Sequence, residues 1–251
     1  MSPKEQTLLK IGALCLGLSV LIASPGFAGD SPEEILERGI KYSEQGEYGK
    51  AIQELDKVLR EDPRNARAYL ARGGAYAELG DADKAILDLD KAIEIFPVNP
   101  EAYNNRALAY NKKGDFNQAI GDCTQALSFN PSFAKAYHTR GNAYAFKGNL
   151  NYAMIDLDKA LELDPSYARA YFDRGLACYL KRDLDQAISD YSKAIENNPH
   201  YVEAYNNRAA AYLDNNELDR SWADVHQVES LGGKAQPHLI EDLKKASGRD
   251  K

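Results

Sequence analysis

Apolar and small residues recur along the chain at helical spacing, and glycine or proline interrupts them at regular places. Between Ala66 and Pro97, for example, Tyr69, Gly73 and Tyr76 follow one another at intervals of four and three residues. This spacing places their side chains on one face of an amphipathic helix. The first half of this segment is therefore predicted to be helical.

The second half of the same segment predicts another helix. Gly80 and Asp81 interrupt the first helix, since glycine readily adopts the left-handed conformation that ends a helix and aspartate can cap the next one. An apolar face then resumes at Ala85, Ile86, Leu89, Ala92 and Ile93. Pro97 ends it, because proline lacks the amide and restricts the residue before it. We expect two antiparallel helices, each about 13 residues long.

This segment is one of six similar units. An arginine recurs every 34 residues, at Arg38, Arg72, Arg106, Arg140, Arg174 and Arg208. Proline keeps the same interval from Pro63 to Pro199, and alanine keeps it from Ala51 to Ala187. A fixed period of this length is typical of stacked helical units that cannot bury their apolar faces alone. The predicted units are 32–65, 66–99, 100–133, 134–167, 168–201 and 202–233.

In this pattern the chain resembles the tetratricopeptide-repeat (TPR) family. The third unit carries the family's residues at Tyr103, Ala107, Tyr110, Ala119, Cys123, Ala126 and Pro131, and the fourth carries them at Tyr137, Gly141, Tyr144, Ala153, Leu157, Ala160 and Pro165. The resemblance implies an all-α, right-handed superhelical solenoid of six helix-turn-helix repeats. The first unit departs from the pattern at Ile35, and the last unit has Ser221 and Trp222 and lacks the closing proline.

Both ends of the repeat array carry their own signals. Residues 29–33 form a linker and helix cap, in which Ser31 and Glu34 frame a capping box with proline at the first helical position. Residues 236–246 predict a final amphipathic helix that covers the last pair with Leu239, Ile240 and Leu243. We expect the tail, 247–251, to be disordered.

The N-terminal residues 1–28 differ from the rest of the chain. Lys4 and Lys10 precede the apolar run 11–23, and the small residues Gly26 and Ala28 follow it. This arrangement predicts a secretory signal peptide that is cleaved after Ala28. A retained membrane anchor is the alternative, but the apolar run is shorter than the roughly 20 residues that span a bilayer. We therefore expect an exported protein, periplasmic or secreted, rather than a membrane-anchored one.

Charge and composition disfavour several classes of function. The formal charge is −7, and residues 1–28 contribute +1 through Lys4, Lys10 and Glu5, so −7 − 1 leaves −8 for the remainder. An acidic surface disfavours binding to nucleic acid or an anionic membrane. The four histidines lack metal-ligand spacing, and no nucleophile elbow or phosphate-binding loop occurs. The sequence therefore predicts no enzyme, cofactor, metal site or small-molecule substrate, and favours protein or peptide partners.

Two further sets of residues are interpreted as structural. Cys123 and Cys178 take apolar positions of the repeat in different units, so we expect buried free thiols rather than a disulfide. An acid follows each periodic arginine after 16 residues, at Glu54, Asp88, Asp122, Asp156, Asp190 and Asp224. Because this pair is present in every unit, it indicates an ion pair that joins helices rather than a binding site.

The resemblance also implies where partners bind, because the first helices of the family's repeats line a concave groove for extended peptides or a partner helix. Mapped onto this chain, the groove residues are Arg67, Leu70, Asn104, Asn105, Leu108, Lys135, His138, Asn142, Arg169, Phe172, Asp173, Tyr179, Asn206 and Asn207. Five of them carry amides, which both donate and accept and can therefore pair with a peptide backbone. The alternative is that asparagine is merely tolerated there. Leu108, Phe172 and Tyr179 are the expected apolar pockets.

The leading functional hypothesis is an exported, non-enzymatic adaptor that holds polypeptide segments in this groove. Two alternatives remain open. The units could stack between molecules and give a self-associating structural protein, or the chain could be an accessory subunit of an envelope assembly or secretion complex. The sequence leaves the oligomeric state undetermined.

Overall fold

The computed structural model describes residues 30–248, so the expected signal peptide and the last three tail residues lie outside the described residues. This part of the chain forms 13 helices and no strands. None of these helices is long and apolar enough to cross a lipid bilayer. The helices are α1 (Pro32–Glu44), α2 (Tyr48–Glu61), α3 (Ala66–Glu78), α4 (Ala82–Ile95), α5 (Pro100–Lys113), α6 (Phe116–Phe129), α7 (Ala134–Phe146), α8 (Leu150–Leu163), α9 (Ala168–Leu180), α10 (Leu184–Asn197), α11 (Val202–Asp214), α12 (Leu218–Ser230) and α13 (Pro237–Ser247).

The helices form six antiparallel pairs, α1/α2 to α11/α12, followed by α13. Each pair packs against the next, so the described chain is a solenoid, as the sequence predicts. The first helix begins with the predicted capping box: the Glu34 amide donates to Ser31 Oγ at 3.3 Å, and the Ser31 amide donates to Glu34 Oε2 at 2.7 Å. Two amides without helical partners are thereby satisfied.

The turn inside each pair requires a left-handed residue. Gly80, between α3 and α4, has a φ of +84°, a conformation that glycine adopts without steric cost. The corresponding residues of the last two pairs are Arg182 and Asn216, whose φ angles are 64° and 61°. A side chain in this region costs about 1–2 kcal/mol, least for asparagine, so the turn at Arg182 carries backbone strain.

Small residues bring the two helices of a pair into contact. A β-carbon added at Gly73 in α3 would lie 2.8 Å from Leu89 Cγ in α4, so the close approach depends on the missing side chain. In the third pair Ala107 takes this position, and its partner is the shorter Cys123, which is fully buried in the same cluster. A larger residue on one side of the seam between the helices is therefore accompanied by a smaller residue on the other side.

In the fifth pair a larger residue is again accompanied by a smaller one, here a tyrosine and a cysteine. Tyr191 occupies the leucine position, and Cys178 occupies the position that is tyrosine in the second to fourth pairs. Both are fully buried in one cluster. Burial raises the pKa of the Cys178 thiol to about 11, so the thiol stays protonated. The expectation of two buried free cysteines is confirmed.

From Arg72 onward, each periodic arginine joins both helices of its pair and also the preceding pair. Arg72 Nε and Nη2 donate to the two carboxylate oxygens of Asp88 at 2.7 Å, and Arg72 Nη1 donates to Asp56 of α2 at 2.5 Å. The hydrogen bonds to Asp88 raise the pKa of Arg72 further. The predicted structural ion pair is therefore confirmed, and it also fixes how one pair stacks on the next.

The contact with the preceding pair varies. Arg106 and Arg174 reach a second aspartate, as Arg72 does. Arg140 instead donates to Thr124 Oγ1 at 3.2 Å, and Arg208 donates to Ser192 Oγ at 2.9 Å. A neutral hydroxyl replaces a carboxylate at these two junctions, so Arg140 and Arg208 each depend on a single acid for charge compensation.

The two ends of the described solenoid are polar. Ala68 and Ala75 of α3 are buried against the preceding pair, whereas α1 carries Glu34 and Lys41 at the same positions. At the other end Leu239 and Leu243 of α13 are buried against the last pair, as predicted. Each end of the stack is therefore closed.

Candidate functional site

The first helices of the pairs line one open face of the solenoid. Residues of α1, α3, α5, α7 and α9 enclose a cavity of about 790 Å³. The side chains at equivalent positions of successive first helices lie next to one another, because the units repeat at a constant interval. We refer to this face as the groove; its lining includes Ile40, Leu70, Gly74, Asn105, Leu108 and Asn142.

Most of the predicted site residues come together in this cavity: Arg67, Leu70, Asn104, Asn105, Leu108, Lys135, His138, Asn142 and Arg169. The remaining ones, all on α9 and α11, do not line it: Phe172, Asp173, Tyr179, Asn206 and Asn207. The predicted set therefore divides between the open cavity and a region nearer the C-terminal end.

Phe172 and Tyr179, two of the three residues expected to form apolar pockets, contact other residues of the fold. The Phe172 ring packs against Tyr191 and Tyr201, with centroid distances of 5.8 and 5.0 Å. The Tyr179 hydroxyl donates to Asp214 Oδ2 at 2.9 Å. Both aromatic residues thus link α9 to neighbouring elements. Of the three expected pocket residues, Leu108 alone lines the cavity, together with the predicted groove residue Leu70.

Sequence reasoning missed other apolar residues of the groove. Phe146 and Leu180 are 70% and 59% exposed, and Leu176 is 37% exposed. Phe146 lies one repeat after Lys112, which lines the cavity, and Leu176 lies two repeats after Leu108. These residues occupy the same repeat positions as residues that line the cavity, both in the middle turns and at the ends of the first helices. The period of the repeat is therefore the sequence signal that identifies them.

Two of the predicted amides make hydrogen bonds within the described fold, and the expectation that they also contact a peptide stays a prediction. Asn206 is buried, and its Nδ2 lies 3.4 Å from the Lys234 carbonyl oxygen in the segment before α13. Asn142 Nδ2 donates to Asp173 Oδ2 at 3.0 Å. These side chains satisfy neighbouring helices and loops, because equivalent turns of the solenoid lie within hydrogen-bonding reach of one another.

Asn104 differs from these two in making no side-chain hydrogen bond at all, although Asn206 Oδ1 is likewise buried without a partner among the described residues. It is 3% exposed, it lines the cavity, and no hydrogen bond to its side chain is found within the described part of the chain. A buried polar group without a partner costs about 1–3 kcal/mol. Asn105 lies beside it, and its Nδ2 is 4.0 Å from the place where a β-carbon of Gly74 would be. The groove therefore holds an unpaired amide next to open space.

His138 belongs to a buried network between α7 and α9. Its Nε2 lies 2.7 Å from Asp173 Oδ2, and its Nδ1 lies 3.1 Å from the Tyr167 hydroxyl. Burial raises the pKa of Tyr167 to about 12, so the hydroxyl stays protonated and can donate to the imidazole. His138 thus ties two first helices together. The described residues contain no group of three or more His, Cys, Asp or Glu side chains placed to hold a metal ion.

Charges along one edge of the groove mostly alternate. The second residues of the first helices are Glu33, Arg67, Glu101, Lys135, Arg169 and Glu203. Arg67 donates to Glu33 and Glu37 at 2.7 and 2.6 Å. Within the described residues Lys135 has no ion pair, and Arg169 Nε is 4.0 Å from Asp173 Oδ2. Two neighbouring cations thus remain largely uncompensated.

Several solved structures resemble this fold. MamA is 30% identical, with 63% of this chain and 93% of that chain covered and a TM-score of 0.54. A TPR protein of Thermus thermophilus is 23% identical, with coverages of 73% and 100% and a TM-score of 0.64. PilW is 19% identical, with coverages of 81% and 94% and a TM-score of 0.72.

The repeats are also recognised at the level of sequence. Family models described as tetratricopeptide repeat match residues 36–100, 100–133, 168–201 and 191–223, and one described as TPR repeat matches 141–182. A comparison with curated protein sequences finds no match. The family models together cover more than half of the sequence, and the matches at 100–133 and 168–201 coincide with the observed pairs α5/α6 and α9/α10. The chain therefore belongs to the tetratricopeptide-repeat family.

Proposed function

We propose that this protein is a non-enzymatic scaffold of the cell envelope that binds polypeptide segments in the groove. The observation that carries the proposal is the open cavity of about 790 Å³, which contains the unpaired amide of Asn104. The folded state keeps the Asn104 amide buried, although a buried amide without a partner lowers the stability of the fold. A bound partner that supplies a hydrogen bond would recover that cost.

The distribution of repeating and non-repeating residues supports the same function. The arginine of each unit is the same residue throughout, since it holds the scaffold together. Another position of the first helices, by contrast, differs from unit to unit. It is occupied in turn by Leu70, Asn104, His138, Phe172 and Asn206. Identical residues cannot distinguish one place on a repeat array from another, so selectivity for a partner must come from positions that differ.

The dimensions of the groove favour a polypeptide over a small molecule. Five first helices line the cavity, and neighbouring packed helices are about 8–10 Å apart. The groove therefore extends over about 30–40 Å. An extended chain covers about 3.3 Å per residue, so roughly ten residues fit along it. Binding over such a length recruits many weak contacts without a deep pocket.

The proposed location rests on residues 1–28. The basic residues, the apolar run and the small residues before position 29 together have the form of an export signal. PilW, whose fold this chain shares, is described as a type IV pilus biogenesis factor. Its identity to this chain is 19%, so the likeness supports the shared fold and not that role. The expected processed protein begins at Gly29, which mass spectrometry of a periplasmic fraction would detect.

Self-association end to end is the weaker alternative. Glu34 and Lys41 occupy the positions at which later units bury alanine against a preceding pair, and they would be desolvated in such a contact. At the opposite end α13 already covers the last pair. A constant molar mass in light scattering from about 1 to 100 µM protein is the expected result, and a rising mass would favour the alternative.

Photocrosslinking in the native compartment tests the groove directly. A photoreactive residue placed at Asn105 or at Leu108 is expected to capture a partner polypeptide. The substitution Gly74→Leu should abolish this capture, because Gly74 lines the cavity and an added β-carbon there has only Asn105 Nδ2 within 4 Å, which leaves the cavity as the space for the side chain. Leucine also favours a helix more than glycine does, so the fold should be retained.

The matched control is Gly121→Leu. Gly121 is an exposed residue in the middle of α6, outside the groove, and a β-carbon there meets no atom within 4 Å. Both variants therefore make the same chemical change in a helix. Capture that survives in Gly121→Leu and disappears in Gly74→Leu supports the groove. Equal capture in both variants would show that partners bind elsewhere.

A further inference from the structure

Two edges of opposite chemistry border the groove where α7 and α9 lie side by side. Lys135 and Arg169 are the second residues of these helices, and Phe146 and Leu180 are the last residues. We refer to the first pair as the cationic rim and to the second pair as the apolar rim. All four side chains are exposed, so both rims are available to a ligand.

The cationic rim lacks compensating charge of its own. Lys135 makes no ion pair with the described residues, and Arg169 approaches only Asp173, at 4.0 Å. That carboxylate already accepts hydrogen bonds from His138 and Asn142. The amino-terminal ends of α7 and α9 add partial positive charge at the same place. An anionic side chain of a partner would therefore be stabilised here.

The apolar rim is equally specific to these two helices. The equivalent residues of the other first helices are charged: Glu44, Glu78, Lys112 and Asp214. Phe146 stacks on Phe116 with a centroid distance of 5.4 Å, which orients its ring but leaves it exposed. Leu176, one turn before Leu180, extends the surface towards the middle of the groove. Burying such surface contributes about 25 cal/mol per Å².

The distance between the rims sets a spacing on the ligand. Lys135 and Phe146 are separated by 11 helical positions, which correspond to about 16 Å at 1.5 Å per residue. An extended chain covers this distance in about five residues. Building on the peptide-binding function proposed above, we propose that α7 and α9 bind an extended segment whose acidic and large apolar side chains lie about five residues apart.

The unpaired amide favours an extended ligand over a helical one. Asn104 lines the same cavity as Lys135 and Arg169, and its carboxamide can both donate and accept. The main-chain groups of an extended segment are free to pair with it. A helix uses these groups internally except at its ends. An extended segment thus satisfies the buried amide while its side chains reach the two rims.

Synthetic peptides test the spacing. Fluorescein-labelled 14-residue peptides would carry an Asp-Glu pair and a Leu-Phe pair in a Gly-Ser background, separated by two, five or eight residues. Fluorescence anisotropy with the purified protein is expected to show the tightest binding at five, by about tenfold, which is 1.4 kcal/mol. Equal affinity at all three spacings, or no binding of any peptide, would overturn the inference.

Variants test each rim separately. Lys135→Glu and Phe146→Ser are each expected to weaken the five-spaced peptide by about tenfold or more. The controls are Lys234→Glu and Ile155→Ser, which introduce the same residues at exposed positions outside α7 and α9. Circular dichroism should be unchanged in all four. A control that weakens binding as much as its rim variant contradicts the assignment.

The inference and the function on which it depends can fail separately. Peptides that bind regardless of composition, together with loss of native crosslinks in Gly74→Leu, would refute the two-rim ligand and retain the groove. Native crosslinks that persist in Gly74→Leu would refute the groove itself. A five-spaced peptide in which two prolines replace Gly-Ser should still bind, whereas a helix-favouring alanine linker should bind less well, since proline is compatible with extended backbone.

Discussion

The seam between paired helices and the groove are built by the same first helices under opposite rules. At the seam, equivalent positions carry the same residue or exchange volume with their neighbour, as Ala107 does with Cys123. In the groove, one repeat position is occupied by Leu70, Asn104 and His138 in successive units. The seam must be equally stable in every unit, whereas the groove must differ from place to place to select a partner.

This comparison separates stability from recognition within a single helix. Arg106 and Asn105 are neighbours in α5, yet Arg106 binds Asp122 and Asp90 and Asn105 lies in the groove. A helix directs neighbouring side chains to different faces. Substitutions at the seam should therefore change the free energy of unfolding and leave binding intact, and substitutions in the groove should do the reverse.

The largest effect is expected at the seam of the fourth pair. Asp156→Ala should lower stability by about 3 kcal/mol, because it leaves the guanidinium of Arg140 partly buried without a carboxylate. Asp190→Ala should cost less, since Arg174 keeps Asp158. Urea denaturation measures both. Equal losses would contradict the role of the second acid.

A double variant sharpens this result. Replacing Arg140 by methionine and Asp156 by leucine removes both charges, so the combined loss should be smaller than the sum of the two single losses. Peptide binding should be unchanged in each folded variant. Strict additivity would show that the two side chains act independently.

The next effect concerns volume at the seam. Gly73→Ala should destabilise the protein by about 1–2 kcal/mol, because its β-carbon would lie 2.8 Å from Leu89 Cγ. Adding Leu89→Cys should recover part of this loss, since the third pair already combines alanine with cysteine. Thermal unfolding monitored by circular dichroism compares the variants. A double variant no more stable than Gly73→Ala would argue against volume exchange.

A smaller effect of opposite sign is expected in the groove. Asn104→Leu should stabilise the protein by about 1 kcal/mol, because it removes a buried unpaired amide, and leucine fits this position in α3 as Leu70. The same variant should bind the five-spaced peptide more weakly. Urea denaturation and anisotropy measure the two quantities. Lower stability together with unchanged binding would show that Asn104 is structural.

The smallest effect lies in the turn of the fifth pair. Arg182→Gly should stabilise the protein by about 0.5–1 kcal/mol, because it relieves a φ of 64°. The exposed ion pair with Asp214 that is lost contributes little. Gly148→Arg, the converse change in the fourth pair, should destabilise. Thermal unfolding distinguishes the two, and neither variant should alter peptide binding.

The sequence by itself determined the helix pairs, the ion pairs and the buried thiols. Each depends on local periodicity or on a contact that recurs in every unit, so one unit predicts the others. Arg72 with Asp88 could be recognised from spacing alone, because six copies of the same pair require a common geometry. The capping box at Ser31 is equally local.

Only the tertiary structure decided which groove side chains are free. Asn104, Asn142 and Asn206 are chemically identical, yet Asn142 pairs with Asp173, Asn206 with the segment before α13, and Asn104 with no described residue. Phe172 is packed among tyrosines, whereas Phe146 is exposed. Such differences arise from neighbours contributed by other units, and the periodic pattern does not specify them because those neighbours differ from unit to unit.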